Sequence, residues 1–186
     1  MRIVAGKFRG RALATPEHDG LRPTSDRVRE AVFNILTHGI ADFSIQGARV
    51  IDLFAGTGAL GLEALSRGAS YCLFVEESAE ARALIRRNVE AFALTGETRV
   101  FRRDACNLGP ASKSDRYALA FLDPPYGQGL GEKALAGLSL GGWLAPGAVS
   151  VLEERADVMV VAPPGFTALD VRRWGDTQAH FFRHGA

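Results

Sequence analysis

The stretch ARVIDLFAGTGALGLEALSRGASYCLFVEE, residues 48–77, decides the architecture. ARVIDLFA is a nearly unbroken apolar run of strand length, the pattern of a strand buried on both faces. GALGLEALSRG then reads as a helix closed by a glycine, and SYCLFVEE as a second buried strand. A strand, a glycine-rich turn, a helix and another strand make a βαβ unit, whose two strands lie parallel in one sheet.

The alternation continues outward. Residues 78–94 read as an amphipathic helix, ETRVFRRDA and YALAFLDPPY as strands, residues 130–140 as a helix and GAVSVLEE as a strand. The end differs, because TALDVRRWGDTQAHFFRH reads as two strands joined by a Trp-Gly-Asp turn, an antiparallel finish. On the other side, IVAGKFRGRALAT reads as a small hairpin and LRPTSD as a loop. Over residues 26–38, Val28, Ala31, Val32, Ile35 and Leu36 share one helical face, with Thr24 or Ser25 as N-cap. The expected fold is α/β: a mostly parallel, doubly wound sheet with a reversed terminal strand. A hairpin-and-helix extension over residues 1–40 precedes a main domain over residues 41–186.

Composition is that of an ordinary globular domain: 186 residues, 47% hydrophobic and 23% charged, enough apolar material for a real core. No apolar run reaches membrane-spanning length, and MRIVAGKFRGR lacks the long apolar stretch of a signal peptide. Cys72 and Cys106 have neither metal-ligand spacing nor the density of a disulfide scaffold, so a reducing cytoplasm is the expected location. The net charge of +1 argues against indiscriminate nucleic-acid binding. The distribution is uneven, however. Residues 1–11 carry Arg2, Lys7, Arg9 and Arg11 and no acid, and Arg22, Arg27 and Arg29 follow. Such an arm is either a phosphate footprint or a solvated basic hairpin.

Gly56, Gly58 and Gly61 fit G-x-G-x-x-G between strand and helix, where glycines allow a tight turn and close approach of a ligand to the backbone. Glu76 closes the second strand about 20 residues beyond Gly56, where a carboxylate accepts hydrogen bonds from ribose hydroxyls. A nucleoside cofactor is expected. Asp52, at the end of the first strand, is ill placed for a pyrophosphate at the helix N-terminus. It suits a cationic ligand, such as the sulfonium and ammonium of S-adenosylmethionine (SAM). Asp104 and Ala105 end the third strand, where Asp104 either accepts from an adenine amino group or closes an Asx-turn.

DPPY, residues 123–126, ends the fourth strand at the carboxyl edge where open α/β sheets bind ligands. The motif suits methylation of an exocyclic amino group on a base. Such an amine is a poor nucleophile because its lone pair is delocalised into the ring. Asp123 accepting one N–H and the Pro124 carbonyl accepting the other would stabilise the charge developing on nitrogen. Pro124 and Pro125 contribute no amide donor and fix φ, and Tyr126 offers a face on which a withdrawn base can stack.

FAGTG followed by DPPY resembles the amino-methyltransferases that act on bases of nucleic acids. GKFRGRALATP, LRPTSDRVREAVFNIL and DLFAGTGALGLEALSRGA together resemble the RsmD family, over essentially the whole chain. These are bacterial enzymes that methylate the 2-amino group of one guanine in 16S ribosomal RNA. The resemblance implies a Rossmann-like SAM-dependent methyltransferase releasing S-adenosylhomocysteine, without a metal. Its substrate would be 16S rRNA in the small ribosomal subunit or an assembly intermediate. Asp52, Phe54, Ala55, Gly56 and Gly58 would line the methionine end of the cofactor, Glu76 the ribose, and Asp104 and Ala105 the adenine. Thr24, in the Arg22-Pro23-Thr24 segment, would donate to the methionine carboxylate or else cap the helix. Asp123 would border cofactor and substrate, and Pro124, Pro125 and Tyr126 would complete the catalytic motif. Some family members have phenylalanine where this chain has Tyr126, so its hydroxyl is given no chemical role.

Other readings stay open on residues alone: a DNA adenine or cytosine amino-methyltransferase, a SAM-binding RNA-associated protein without turnover, and a nicotinamide-dependent reductase. A sequence-specific DNA enzyme usually needs a separate recognition domain, for which this chain has no room. Recognition is therefore expected from the N-terminal element, with Arg2, Lys7, Arg9 and Arg11 on phosphates. A monomer is expected. His18, His38, His180 and His184 read as surface or structural residues, Trp143 and Trp174 as packing residues. Arg86, Arg87, Arg102 and Arg103 read as solvated cations, while Arg172 and Arg173, in the terminal hairpin, read as within reach of substrate.

Overall fold

The computed structural model describes residues 1–16, 25–112 and 114–185. Seven strands form one sheet: β1 (Arg49–Leu53), β2 (Tyr71–Val75), β3 (Thr98–Phe101), β4 (Tyr117–Leu122), β5 (Leu144–Arg155), β6 (Phe166–Trp174) and β7 (Thr177–His184). Their spatial order is β3-β2-β1-β4-β5-β7-β6. The first five pair in parallel, and β7 runs antiparallel to both of its neighbours. The reversed strand is thus last in sequence but not at the edge. The β6–β7 hairpin inserts β7 beside β5 and leaves β6, largely exposed, as the outer strand.

Alternating side chains send each strand's apolar residues to two layers. Val50, Phe74, Leu119, Phe121, Val151 and Phe181 face a layer made by α1 (Asp26–His38), α2 (Ala59–Ser66) and α3 (Ala79–Ala91). Ile51, Leu53, Val75, Ala120, Leu122 and Phe182 face α4 (Leu130–Leu140), with Leu108 and Trp143. Three helices therefore cover one face. On the other, α4 shares the cover with connecting segments that include Ala111, Val160 and Ala162. No described helix is long and apolar enough to cross a membrane.

The helix boundaries follow local chemistry. Ser25 accepts the Val28 amide and caps α1, and Ser78 accepts the Ala81 amide and caps α3. The amphipathic run after Ser78 ends earlier than its pattern extends, at Ala91, and continues as a short 3-10 turn over Thr95–Glu97. Gly61 shows why a glycine stands inside α2. A Cβ there would lie 2.4 Å from Phe74 Cε1 and 2.5 Å from Cys72 Sγ, so α2 can sit this close to β2 only without a side chain.

The N-terminal segment is docked rather than free. It makes one antiparallel bridge, Arg2 with Ala12, instead of an extended hairpin ladder. Ile3, Phe8 and Leu13 are buried in the same cluster as α1, α2 and α3. Glu63 of α2, fully buried, accepts the Val4 and Ala5 amides at 2.8 and 2.9 Å. Its carboxylate also pairs with Arg67 at 2.8 Å and with the fully buried Arg29 at 3.5 Å. Asn88 of α3 accepts the Ala14 amide at 2.7 Å and donates to the Ala14 carbonyl at 3.2 Å and the Thr57 carbonyl at 3.1 Å. One side chain thereby ties the arm, the glycine turn and α3 together.

Candidate active site

The carboxyl ends of β1, β2 and β4 open onto a cleft of about 930 Å³. Its lining contains Asp52, Phe54, Ala55, Gly56, Glu76, Asp104, Ala105, Asp123, Pro124, Pro125 and Tyr126. Residues widely separated in sequence meet here because parallel strands present all their carboxyl ends on one edge.

Asp52 is only 1% exposed, and its Oδ2 accepts the Gly61 amide at 2.9 Å. The first amides of a helix lack partners within it, and Gly58 at the α2 N-cap has no side chain to offer one. Asp52 supplies the acceptor from the neighbouring strand. Burial pushes its carboxyl up from 3.8 to about 8, opposed by the Gly61 amide and reinforced by the negative charge of Glu76. Glu76 braces the turn from the other side. It accepts the Gly56 amide at 2.9 Å on one oxygen and the Ser78 amide at 2.8 Å on the other. Each oxygen keeps a second lone pair for a hydroxyl donor.

The turn between these carboxylates is forced. Phe54 has φ of 57° and Gly58 has φ of 78°. A left-handed non-glycine residue costs about 1–3 kcal/mol and persists only where its surroundings hold it. Gly58 is the left-handed N-cap of α2, at the end of the turn that lines the cleft. On the third strand end, Asp104 Oδ1 accepts the Cys106 amide at 2.8 Å. That is the Asx-turn arrangement, formed while Asp104 still borders the cleft.

Residues 123–126 follow β4 directly. The ladder between β4 and β5 ends at Leu122 with Leu152, and the motif leaves the sheet there. Pro124 is buried, Pro125 exposed and Tyr126 half-buried. The Tyr126 hydroxyl donates to Glu153 Oε1 at 2.8 Å, and burial followed by the Glu153 charge pushes its phenol well above the usual range.

Several lining residues carry no sequence signal. Met1, Thr15 and Pro16 border the cleft because the arm is tied to α3 and the glycine turn. Arg103 and Lys133, both exposed, add cations to the rim, and Leu130 adds an apolar wall. Arg103 adjoins Asp104 in sequence, the one signal that would have found it; Lys133 arrives only through the placement of α4. Thr24, with Arg22, Pro23 and His18, lies outside the described residues.

The four cations of the arm are exposed but not equivalent. Arg2 pairs with Asp26 at 3.6 Å. Arg11 donates to the Ala91 carbonyl and lies 4.4 Å over the Phe92 ring. Lys7 lies 5.0 Å over Phe8, and Arg9 extends from the loop. Trp143 is buried, donating to the Gly109 carbonyl at 2.8 Å, and Trp174 packs against the main cluster. His38 is exposed, His184 meets Ser139 at 3.0 Å and His180 is buried against Phe182. Arg86, Arg87, Arg102 and Arg173 are exposed, and Arg172 pairs with Asp170 at 2.9 Å. Among the described residues no His, Cys, Asp and Glu side chains converge as a metal site requires.

The acceptor set of the cleft is distinctive. Asp52, Glu76 and Asp104 stand around walls formed by Phe54, Ala55, Leu60, Val75 and Ala105. Such a lining offers acceptors to hydroxyl and amino groups carried on a flat apolar body. It fits the nucleoside and the positive charges of SAM.

The chain is similar to known proteins over most of its length. The family model described as conserved hypothetical protein 95 matches residues 1–183. Ribosomal RNA small subunit methyltransferase D of Escherichia coli (strain K12) is 40% identical over 157 residues, covering 84% of this chain and 76% of that protein. The protein of the same name from Haemophilus influenzae is 33% identical over 177 residues, 94% of this chain and 89% of the other. The solved structure of yhhF from Escherichia coli superposes with a TM-score of 0.86 at 32% identity, covering 100% of this chain and 98% of that one.

Proposed function

The chain belongs to the conserved hypothetical protein 95 family, the RsmD family, and from that premise we propose that it methylates the 2-amino group of a guanine in 16S ribosomal RNA. It is a SAM-dependent ribosomal RNA methyltransferase. The observation that supports methylation of a base amino group is the meeting of Asp123, Pro124, Pro125 and Tyr126 with Asp52, Glu76 and Asp104 in one cleft, and the choice of guanine in 16S rRNA rests on the family. Bound SAM would supply an electrophilic methyl group on a sulfonium.

The chain's own residues do the rest. Asp52 and the turn of Phe54, Ala55, Gly56 and Gly58 would hold the methionine end, Glu76 the ribose, and Asp104 and Ala105 the adenine, with Thr24 at the carboxylate. Asp123 and the Pro124 carbonyl accept the two N–H groups of the target amine and direct its lone pair outward. Positive charge that develops on the nitrogen is stabilised by both acceptors. Asp123 then receives the proton that the methylated nitrogen gives up. Tyr126 stacks on the base, and Pro125 keeps the loop rigid at this point.

Substrate recognition falls to surfaces around the cleft. Lys7 and Arg9 are the arm's readiest phosphate contacts, with Arg2 and Arg11 contributing from positions already fixed by protein partners. We place the protein in the cytoplasm as a monomer acting on the small subunit or an assembly intermediate, with residues 1–40 as its RNA-facing, cofactor-adjacent extension. The test uses isotopically labelled SAM with naked 16S rRNA, small subunits lacking the modification, and duplex DNA, followed by digestion and mass spectrometry. N2-methylguanosine from an RNA sample is expected, and Asp123→Ala should lower its formation about 100-fold or more. Methyladenine or methylcytosine from the DNA sample alone would overturn the substrate assignment.

A further inference from the structure

Glu153 and Glu154, at the end of β5, are 6% and 2% exposed. A buried carboxylate is costly unless its oxygens find donors. Both find them in the loop that carries the catalytic motif. The Tyr126 hydroxyl donates to Glu153 Oε1 at 2.8 Å, and the Gly127 amide donates to the two oxygens of Glu154 at 3.0 and 3.1 Å. Neighbouring strand residues point to opposite faces, so one loop can be served by both only where it crosses the strand end.

The loop depends on such contacts. The β4–β5 ladder stops at Leu122 with Leu152, and the two prolines that follow Asp123 have no amide hydrogen. The Gly127 amide is therefore among the first donors available after the ladder ends.

We propose that Glu153 and Glu154 are positioning residues for the catalytic loop: Glu153 sets the direction of the Tyr126 ring, and Glu154 fixes where the chain turns away behind it. The face that receives the target base is thus set before the base arrives. The proposal rests on the base-methylation reading of residues 123–126. The Tyr126 hydroxyl, kept protonated by burial and by Glu153, is an anchor with no part in the chemistry.

The experiment compares Glu153→Ala, Glu153→Gln, Tyr126→Phe and the Glu153→Ala/Tyr126→Phe double variant. Readouts are single-turnover methylation of small-subunit rRNA, KM for RNA, and SAM affinity by calorimetry. Loss of orientation should lower the single-turnover rate by about 10- to 100-fold in Glu153→Ala, with KM for RNA and SAM affinity close to wild type. Glu153→Gln, whose amide oxygen still accepts from the hydroxyl, should retain most of the rate. The double variant should be no slower than the worse single one, as expected when both changes remove one contact. A Glu153→Ala rate within about twofold of wild type, equal loss in Glu153→Gln, or multiplying effects in the double variant would each overturn the proposal. If Glu153→Ala does not stay folded, Tyr126→Phe, which leaves the carboxylate in place, carries the same comparison with Glu153→Gln.

Ring position is also read without turnover. With 13C-labelled tyrosine, the Tyr126 Cζ resonance should shift in Glu153→Ala and much less in Glu153→Gln; an unmoved resonance would overturn the proposal. If wild-type protein transfers no methyl to RNA while the Glu153→Ala resonance still shifts, the base-methylation reading falls and the positioning stands.

Discussion

Asp52 is where two demands on one residue collide. Its side chain caps α2 from the adjacent strand and is shut away from water. It also borders the cleft proposed to receive a cation. Burial raises its carboxyl from 3.8 to about 8. A carboxyl raised on folding contributes stability that is fully present below its unfolded value and is lost as pH rises through the folded one. The cofactor-free protein should therefore lose stability between about pH 4 and pH 8 on account of this group. Asp52→Asn, which keeps an acceptor for Gly61, should flatten that decline when thermal midpoints are followed across the range. A bound sulfonium or ammonium favours the ionised carboxylate, so SAM binding near neutral pH should release protons. Calorimetry in two buffers of different ionisation enthalpy measures that release. Its persistence in Asp52→Asn would assign it to another group.

At the scale of elements, α2 is the hub. Its N-terminus meets Asp52, its middle lies on β2 through Gly61, and its far end receives the arm through Glu63 and Ser66. Gly6 belongs to the same contact, because a Cβ there would lie 1.9 Å from the Ser66 carbonyl oxygen. Removing one partner of a buried ion pair costs about 3–5 kcal/mol, since the other charge is left stranded. Glu63→Ala should destabilise by about that order, leaving Arg29 with Asp26 as its remaining ion-pair partner and the Val4 and Ala5 amides unpaired. Urea unfolding measures the loss, and faster hydrogen exchange across residues 3–13 would show the arm released. Gly61→Ala should cost about 1–3 kcal/mol through overpacking against Phe74 and Cys72. A smaller effect would mean that α2 can move off the sheet. The glycine pattern announced that a helix starts after the turn. It did not announce Glu63, which reads in sequence as one more polar position on a helix.

For the whole molecule, the net charge of +1 hides a local imbalance. The arm reaches the cleft at Met1, Thr15 and Pro16, while its cations ride on the docked segment between, with the Lys7 amide on the Ser66 carbonyl and Arg11 on the Ala91 carbonyl. Replacing Lys7 and Arg9 together should weaken RNA binding and reduce the salt dependence of the affinity by a slope of about 1 per lost phosphate contact. SAM affinity should stay unchanged. A salt slope equal to that of wild type would remove both residues from the interface.

Sequence by itself determined the βαβ order, the parallel sheet with its reversed last strand, and the cleft-lining residues that end strands. Those features are local: apolar runs of strand length, glycines where a turn needs them, and carboxylates at strand termini. The register of β7 between β5 and β6, and the lopsided cover of the sheet, depended on which apolar faces found each other. Only the tertiary structure brought Met1, Thr15, Pro16 and Lys133 to the cleft and set Glu153 against Tyr126. No pattern in a single chain encodes such pairs, because each side chain is ordinary where it stands. They meet when burial of the core fixes the distances between elements, and buried polar groups must then find partners among whatever has been brought near.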